Sequence, residues 1–341
     1  MQLSWDCTDG LVNLFLLEST MQALPSIFIR RIGKALALTL ALFALFGGRA
    51  YAATDWSSIE SAMKVNGVVL PQDVLRFELV RRDIGNITVN GQVIGENEAA
   101  SGFVSFKEIE NGRFFADGSI PVRDSEVQAV QTALRQDTRI HITAIGNRLA
   151  QDTPSLLWVH FEARGNGASL ATSIASVLAT IQNPQLGLFV LPGTENIISL
   201  SDIPQQFQDL FKQGFLEQLG NTIVFYLPRP DERRIRLGEV PAAFGLGVGQ
   251  SFYITILGDV DSETVTMDVD FALRKDEIQQ VSDVLRGGGF SLSSQSNNFV
   301  NDDPSLYYVH ASAMGNGFDF AQPLFTAVQI ILAHSGGHGH D

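Results

Sequence analysis

The 341-residue sequence is poor in cysteine, because it contains only Cys7. One cysteine cannot form an intramolecular disulfide or supply the paired thiolates of a zinc or iron–sulfur site. Basic residues are also in the minority: 23 Lys and Arg oppose 37 Asp and Glu, which gives a formal charge of −14. An acidic chain without a long basic run is a poor candidate for binding nucleic acid or an anionic membrane.

Several motifs that mark common catalytic and nucleotide-binding sites are absent as well. The sequence contains no G-x-S-x-G elbow, no H-E-x-x-H pair and no G-x-G-x-x-G or Walker-type frame. These absences argue against the hydrolases, metalloproteases and nucleotide-binding proteins that use those motifs. The sequence identifies no cofactor. With 45% hydrophobic and 18% charged residues, its composition is that of one or two globular domains.

The N-terminal region has the three parts of a secretory signal peptide. Basic residues between positions 30 and 34 precede an apolar run over residues 35–46, and the A-Y-A triplet at 50–52 offers small residues for cleavage. The run is shorter than the roughly 20 residues of a membrane-spanning helix. We therefore expect cleavage after Ala52 and a periplasmic or secreted mature chain without a transmembrane span. An uncleaved N-terminal anchor is the alternative. A normal-length signal begins at Met21, so residues 1–20 are interpreted as an upstream extension.

The remaining chain contains two copies of one unit. Residues 152–171 (DTPSLLWVHFEARGNGASLA) align with residues 302–321 (DDPSLYYVHASAMGNGFDFA), and 11 of these 20 positions are identical. The alignment extends outwards, since FELVRRD at residues 77–83 matches FYLPRPD at residues 225–231. Such self-similarity indicates a duplicated structural unit. The expected organisation is an extension and signal peptide at 1–52, a first repeat at 53–190, a linker with a helix at 191–221, a second repeat at 222–333, and a His/Gly-rich tail at 334–341.

Each copy combines strand-like runs with two amphipathic helices. In the first copy, β-rich runs at residues 76–80, 86–89, 103–109 and 114–122 are separated by Gly, Asn and Asp. A helix, two further strands and a second helix follow. This order predicts an α+β fold: two tandem copies of a mainly antiparallel sheet with helices on one face, related by a pseudo-twofold axis. In the linker, Asp202 and Pro204 are expected to start a helix that carries Phe215 and ends at Gly220.

Four segments, in this order, resemble the bacterial exported LppY/LpqO-type family, whose domain has no assigned function. They are an opening helix at residues 56–67, FELVRRDIGNITVNGQVI at 77–94, an acidic-start helix at 126–134 leading into IHITAIGNR at 140–148, and PSLLWVHFEARGN at 154–166. The resemblance implies a His-Asn-His triplet after one strand and a His-x-His pair at the end of the next. Together these would offer four imidazoles to one metal ion.

This sequence departs from the family pattern at most of those histidine positions. The triplet is Gly-Asn-Arg at 146–148 and Ser-Asn-Asn at 296–298, and the second pair keeps only His160 in one copy and His310 in the other. The sequence therefore argues against a conventional multi-histidine metal site in either half.

Eight residues are candidates for ligand binding at the family positions, and each also has an ordinary structural interpretation. His160 and His310 could be ligands or buried core histidines, and Glu162 could join His160 in a reduced site. Glu126 and Glu277 start helices and could act on the helix dipole. Asn147 and Asn297 could form turns. The charged strand ends at residues 81–83 and 229–231 are expected to pair between the halves. The eight candidates are Glu126, Asn147, Arg148, His160, Glu162, Glu277, Asn297 and His310.

Arg148 changes the chemistry expected in the first copy. Arg does not deprotonate in proteins, so a guanidinium beside His160 disfavours a bound dication and favours a carboxylate or phosphate. If Glu162 does not already neutralise Arg148, the first repeat is expected to hold a small anionic ligand. The second repeat then serves as a scaffold.

The sequence favours an exported, non-catalytic binding or interaction protein, whose partner is a small anionic ligand or an envelope protein. One alternative is an enzyme with a reduced His/Glu site in the first repeat. The other is a metal scavenger that binds Cu, Ni or Zn through His334, His338 and His340 in the tail.

Overall fold

The computed structural model describes residues 54–89, 91–94, 100–110, 112–149, 151–181, 185–187, 215–219, 222–256 and 265–336. The upstream extension, the signal peptide, most of the linker, His338 and His340 lie outside these residues. Both repeats belong to one compact unit, Thr54–Asp341. None of the described helices is both long and apolar enough to cross a membrane.

The first repeat is an antiparallel sheet with strand order β1-β2-β5-β6-β9-β7, and β10 also pairs with β2. Its strands are β1 (Val68–Leu70), β2 (Val74–Val80), β5 (Ser101–Glu110), β6 (Arg113–Arg123), β7 (Ile140–Gly146), β9 (Leu156–Asn166) and β10 (Gln185–Gly187). Its helices are α1 (Ser57–Met63), α2 (Val127–Leu134) and α3 (Gly167–Leu178). A small second sheet, β4-β3-β8, contains β3 (Ile87–Val89), β4 (Gln92–Ile94) and β8 (Asp152–Thr153).

The second repeat has the same strand order, β11-β12-β15-β16-β19-β17, and is again antiparallel. Its strands are β11 (Phe215–Leu219), β12 (Thr222–Pro228), β15 (Gly249–Ile256), β16 (Val265–Arg274), β17 (Ser291–Ser296) and β19 (Leu306–Gly315). Its helices are α4 (Ile278–Gly287) and α5 (Gly317–Gly336). Its small sheet, β14-β13-β18, contains β13 (Arg236–Leu237), β14 (Val240–Pro241) and β18 (Asp302–Asp303).

The α+β fold in two similar halves that the sequence predicts is confirmed. Two expected boundaries are wrong. Phe215, which the spacing placed on the linker helix, begins strand β11 and pairs with Tyr226 of β12, because the Phe215–Leu219 run satisfies the open edge of that strand. The sequence places the start of the tail at His334, but α5 continues to Gly336 and buries one side of its length on the sheet.

The helices of each repeat cover one face of its sheet. In the first repeat, Asn166 caps α3 by accepting a hydrogen bond from the Ser169 N–H. Gly167 then lets the helix approach the sheet, because a Cβ there would lie 2.7 Å from the Phe114 ring and 2.8 Å from Ile59. The second core is built alike from α4, α5 and the apolar face of β16 and β19.

The other faces of the two sheets lie against each other. At their margin they share a third apolar core with residues from both repeats, including Val74 and Phe115 from the first and Leu246 and Tyr308 from the second. Equivalent edge strands β7 and β17 contact each other. The inter-sheet space next to this apolar core is lined by polar side chains.

Candidate binding site between the repeats

The inner face of the second sheet is polar although it is buried. Side chains alternate along a strand, so Thr266, Asp268 and Asp270 of β16 point away from the helices. On the neighbouring strand β19, Ser312 lies opposite Asp268 and His310 lies opposite Asp270. Both of these β19 residues are almost completely buried. A row of paired polar side chains therefore faces the first repeat.

The inner face of the first sheet offers a matching polar row. Asp117 and Ser119 of β6 lie opposite Glu162 and His160 of β9 in the strand register. Asp117 is 3% exposed, and Glu162 is 2% exposed. The Glu162 carboxylate accepts a hydrogen bond from Arg164 at 2.9 Å. Its charge is therefore compensated within the first repeat.

Arg148 connects the two rows. It follows β7 of the first repeat, and its Nε donates a hydrogen bond to Oδ2 of Asp268 in the second repeat at 3.1 Å. The Arg148 carbonyl accepts a hydrogen bond from the Ser293 hydroxyl, which fixes the same loop to β17. The guanidinium charge also acts on both histidines, His160 and His310. Equivalent histidines of the two copies thus face one site.

These side chains form what we call the inter-repeat cluster. Several of its buried atoms have no hydrogen-bond partner within the described part of the chain: Oδ1 of Asp117, Asp268 and Asp270, the hydroxyls of Tyr308 and Ser312, and Nδ1 of His310. Nδ1 of His310 is 3.7 Å from Oδ1 of Asp270, too far for a hydrogen bond. Leaving a buried polar atom without a partner costs about 1–3 kcal/mol. The cluster consists of Asp117, Arg148, His160, Asp268, Asp270, Tyr308, His310 and Ser312.

Burial controls protonation in the cluster. Burial raises the pKa of Asp268 to about 7 and that of Asp270 to about 6, while the Arg148 charge opposes both changes. Burial also raises the pKa of Asp117 well above its ordinary value. Burial lowers the pKa of His160 and of His310 to about 3, and Arg148 acts in the same direction. Both imidazoles are therefore neutral at pH 7, while Asp268 and Asp270 lie near their titration range.

Glu126 and Glu277 lie outside the inter-repeat cluster, and each forms an ion pair with an arginine of its own repeat. Glu277 accepts two hydrogen bonds from Arg229, and both side chains are fully buried. Glu126 binds Arg81 in the same way. Each arginine also binds the aspartate two residues later in its own repeat. The expectation that these charged strand ends pair between the halves is therefore wrong, because each arginine is saturated by carboxylates of its own copy.

The two asparagines of the substituted triplet lie in turns. Asn297 accepts a hydrogen bond from the Phe299 N–H at 2.9 Å, which closes the turn after β17. Its side chain also donates to Asp302 at 3.4 Å. Asn147 is exposed in the equivalent turn after β7. The structure brings Arg148, His160 and His310 together, with Glu162 next to them on the inner face, and gives both asparagines local positions.

The histidine of the tail that the structure describes is held by its own helix. The His334 ring donates from Nδ1 to the Ile330 carbonyl at 2.7 Å, and its Nε2 lies 3.9 Å from the Asp276 carboxylate. Within the described residues, no three His, Cys, Asp or Glu side chains are grouped closely enough to hold a metal ion. Metal binding by the whole tail stays a prediction, because His338 and His340 lie outside those residues.

Sequence reasoning missed the three aspartates of the cluster. A signal was available, since the alignment that places Arg123 over Arg274 also places Asp117 over Asp268. Acidic residues recurring inside an otherwise apolar strand are unusual, and they indicate a buried polar site.

Two stretches of the chain, residues 57–180 and 206–330, match the family model described as Domain of Unknown Function (DUF1259). No curated protein matches the chain. Among solved structures, it is similar to EtuB from Clostridium kluyveri at 11% identity, covering 81% of this chain and 94% of that chain, with a TM-score of 0.21. An unknown protein from Galdieria sulphuraria is similar at 10% identity, covering 67% and 95%, with a TM-score of 0.17. Likenesses this weak carry no argument.

Proposed function

We propose that this chain, which belongs to the family of unknown function DUF1259, is a non-catalytic binding protein that holds a small polar ligand between its two repeats. The observation that carries the proposal is the set of buried cluster atoms without a hydrogen-bond partner in the described chain. Native proteins satisfy nearly all buried polar groups, and exceptions indicate a bound partner or a functional role. Six such atoms on two facing sheets form a lining that a polar ligand would satisfy.

The protonation states favour binding over acid–base catalysis by the histidines. A general acid or base works best when its pKa is near the operating pH. Burial lowers the pKa of both His160 and His310 to about 3, so they stay neutral and can accept or donate one hydrogen bond without changing charge. This arrangement suits ligand recognition.

The anionic ligand expected to bind Arg148 would compete with a carboxylate of the protein itself. Arg148 lies beside His160, and Glu162 is held by Arg164, so both conditions set for an anion site are met. The carboxylate that engages Arg148, however, is Asp268 of the second repeat. A second carboxylate there would lie near Asp268 and Asp270 and be repelled. A dicarboxylate therefore serves as a comparison ligand rather than as the expected one.

A thermal-shift experiment on the full chain tests the binding function. Four ligand classes are added separately: a primary amine, a dicarboxylate, a hexose and zinc. We expect one class to raise the melting temperature by several degrees, since ligand at about 100 times its Kd stabilises by about 2.7 kcal/mol. The Tyr308→Phe variant removes a cluster hydroxyl and should reduce the shift. Tyr307→Phe, on the opposite face of β19, is the matched control and should not. No shift in any class, or equal shifts in both variants, contradicts the proposal.

We further propose that the chain is exported and is an LppY/LpqO-type member of its family. The support is the signal-like segment at residues 30–52 and the order of four family segments along the chain. Intact-mass measurement of protein recovered from the cell envelope or the medium should give an N-terminus at Ala53. A mass that retains Cys7 contradicts the cleavage.

A further inference from the structure

The inward-facing position that Glu162 occupies in the first repeat holds a serine in the second. The alignment of the two copies places Glu162 over Ser312. The Glu162 carboxylate accepts hydrogen bonds from Arg164 at 2.9 Å and from the Val300 N–H at 3.4 Å. The shorter Ser312 side chain is buried, and its hydroxyl has no hydrogen-bond partner in the described chain. The second repeat therefore has an unsatisfied polar group where the first repeat has a satisfied one.

Further unsatisfied groups of the second repeat lie next to Ser312 on two paired strands. Tyr308, His310 and Ser312 alternate along β19, all three are buried, and they share the face that points away from the helices. Asp270 of β16 lies opposite His310, and its Oδ1 is 3.7 Å from Nδ1 of that histidine. Neither atom has a hydrogen-bond partner among the described residues, and neither does the Tyr308 hydroxyl. We call these four side chains, Asp270, Tyr308, His310 and Ser312, the second-repeat patch.

The second-repeat patch is accessible to solvent at Asp270. The Asp270 side chain is 23% exposed, although its partner His310 is almost completely buried. Beside the patch, the Ser293 hydroxyl donates to the carbonyls of both Arg148 and His310, which holds the loop of the first repeat next to β19. A small molecule that contacts Asp270 therefore lies within the inter-repeat cluster.

The charges around the patch favour a neutral ligand. Arg148 and Asp268 pair at 3.1 Å, and the Arg148 charge also acts on Asp270. A carboxylate on the ligand would be repelled by Asp270, and an ammonium group would be repelled by the Arg148 guanidinium. A metal ion is disfavoured as well, since no three acidic, histidine or cysteine side chains in the described residues are grouped closely enough to hold one. A hydroxyl group carries no charge and avoids both repulsions.

Hydroxyl groups also match the hydrogen bonds that the patch can form. An ionised Asp270 only accepts, whereas a neutral imidazole and the hydroxyls of Tyr308 and Ser312 offer both donors and acceptors. The 3.7 Å between Asp270 and His310 is too long for a direct hydrogen bond. Two hydroxyl groups on adjacent carbon atoms of a ligand can bind one of these atoms each. Such a ligand both donates and accepts, as the mixed lining requires.

We propose that the ligand of the inter-repeat cluster is a neutral cyclic polyol, which binds Asp270 and His310 through two neighbouring hydroxyl groups. This inference rests on the binding function proposed above and names the ligand class of the same site. Further hydroxyl groups of the polyol bind Tyr308 and Ser312, which lie on either side of His310 along β19. The hydrogen bond to the Asp270 carboxylate is the strongest of these contacts, because it is charge-assisted.

Isothermal titration of the full chain at pH 8 tests the inference with two cyclic polyols, glucose and myo-inositol. Three comparison probes each lack one property: cyclohexanol has a ring with a single hydroxyl group, 1-aminobutane carries a positive charge, and succinate carries negative charges. We expect at least one polyol to bind at least tenfold more tightly than any comparison probe. Two neighbouring hydroxyl groups then account for the difference from cyclohexanol.

Substitutions in the patch locate the bound polyol. Asp270→Asn should weaken its binding at least tenfold, because a charge-assisted hydrogen bond is lost. Ser312→Ala should weaken it about fivefold, as expected for one neutral hydrogen bond. Asp283→Asn, which removes a carboxylate from the exposed face of α4, is the matched control and should leave binding unchanged.

A wild-type measurement covers the case in which a patch variant does not fold. The NMR signals of the His310 ring should shift when the polyol is added, because that ring is part of the patch. Polyol binding that both patch variants retain, or an unmoved His310 signal, overturns the polyol site. Equally tight binding of cyclohexanol, or binding of 1-aminobutane or succinate that depends on the patch, overturns the ligand class but leaves the binding function standing. If no probe here and no class in the thermal-shift experiment binds in a way that depends on the cluster, both proposals fail.

Discussion

Arg148 of the first repeat and Asp268 of the second form an ion pair across the inter-sheet space, with Nε and Oδ2 3.1 Å apart. The two residues are 120 positions apart in the chain. Both side chains are largely buried, with 11% and 13% exposed. The pair therefore couples the packing of the two repeats to the charge of the site between them.

Arg148→Met should destabilise the full chain by about 3 kcal/mol at pH 8, because it leaves Asp268 buried without its cation. The loss should be smaller at pH 5, where Asp268 is protonated, since its pKa is about 7. Urea unfolding of Arg148→Met, Asp268→Asn and the double variant measures the coupling. We expect the double variant to lose at least about 1 kcal/mol less than the sum of the single losses. Additive losses would show that the ion pair does not stabilise the fold.

Asp270→Asn should make the protein more stable at pH 8 and leave its stability at pH 4 nearly unchanged. Burial raises the pKa of Asp270 from 3.8 to about 6, so the folded state binds its proton more tightly than the unfolded state. Wild-type stability then falls as the pH rises from about 4 to 6, by at most about 3 kcal/mol, and the variant escapes this loss. The charged and titratable groups near Asp270 are Asp268, Tyr308, His310 and Arg148.

Urea unfolding at half-unit pH steps measures this difference, and Asp283→Asn, which removes a carboxylate from the exposed face of α4, provides the control. A difference between wild type and Asp270→Asn that stays constant from pH 4 to 8 would contradict the raised pKa. So would a variant that is less stable than wild type at pH 8.

Glu277→Gln should destabilise the protein more than Glu126→Gln. The Arg229–Glu277 pair has no exposed side-chain surface, whereas the Glu126 side chain is 12% exposed. Removing one charge of a fully buried pair costs about 3–5 kcal/mol, and a partly hydrated pair loses less. Both variants should keep the ligand response of the thermal-shift experiment, because neither glutamate belongs to the inter-repeat cluster. Loss of that response in a folded Glu126→Gln variant would contradict this, because it would show that Glu126 takes part in ligand binding.

At one pair of facing positions, the two repeats place side chains of different size. Gly118 of β6 lies opposite Phe161 of β9, whereas the equivalent positions on β16 and β19 hold Val269 and Ala311. A Cβ on Gly118 would lie 2.5 Å from the Phe161 ring. Gly118→Val should therefore cost at least about 3 kcal/mol through overpacking.

The double variant Gly118→Val with Phe161→Ala tests whether one change of side-chain size compensates the other. Phe161→Ala alone should cost about 3–5 kcal/mol, and Gly118→Val with Phe161→Ala should cost less than the sum, because the valine fills the space of the ring. Gly146→Ala is the control, since nothing lies within 4 Å of its Cβ position. Full additivity in urea unfolding would contradict the compensation.

The repeated fold could be predicted because its signals are local. Alternating runs such as residues 103–109 and 114–122 became β5 and β6, and the helical spacing after Ser125 became α2. Asn166, which caps α3, and the two histidines also recur in the internal alignment. Elements formed by neighbouring residues follow from periodicity and capping rules.

The site could be predicted only in part because it is formed by residues far apart in the chain. Arg148 and His160 were identified, but the carboxylate that binds Arg148 comes from the other repeat, which no local pattern indicates. Glu126 was chosen for its place at a helix start, and the structure uses that place to bind Arg81. The internal alignment marks Asp117 and Asp268 as equivalent positions, but the pairing between distant strands is set by the tertiary fold, so which side chains they face follows only from the structure.

A crystal structure of the full chain tests the binding site most directly, if it is grown at pH 8 with the ligand class that raises the melting temperature most. The account predicts electron density for that compound between the sheets, within hydrogen-bond distance of Oδ1 of Asp270 and the Tyr308 hydroxyl, which have no partner in the described chain. Separate ordered waters on those two atoms, or their pairing with other side chains of the protein, would contradict it.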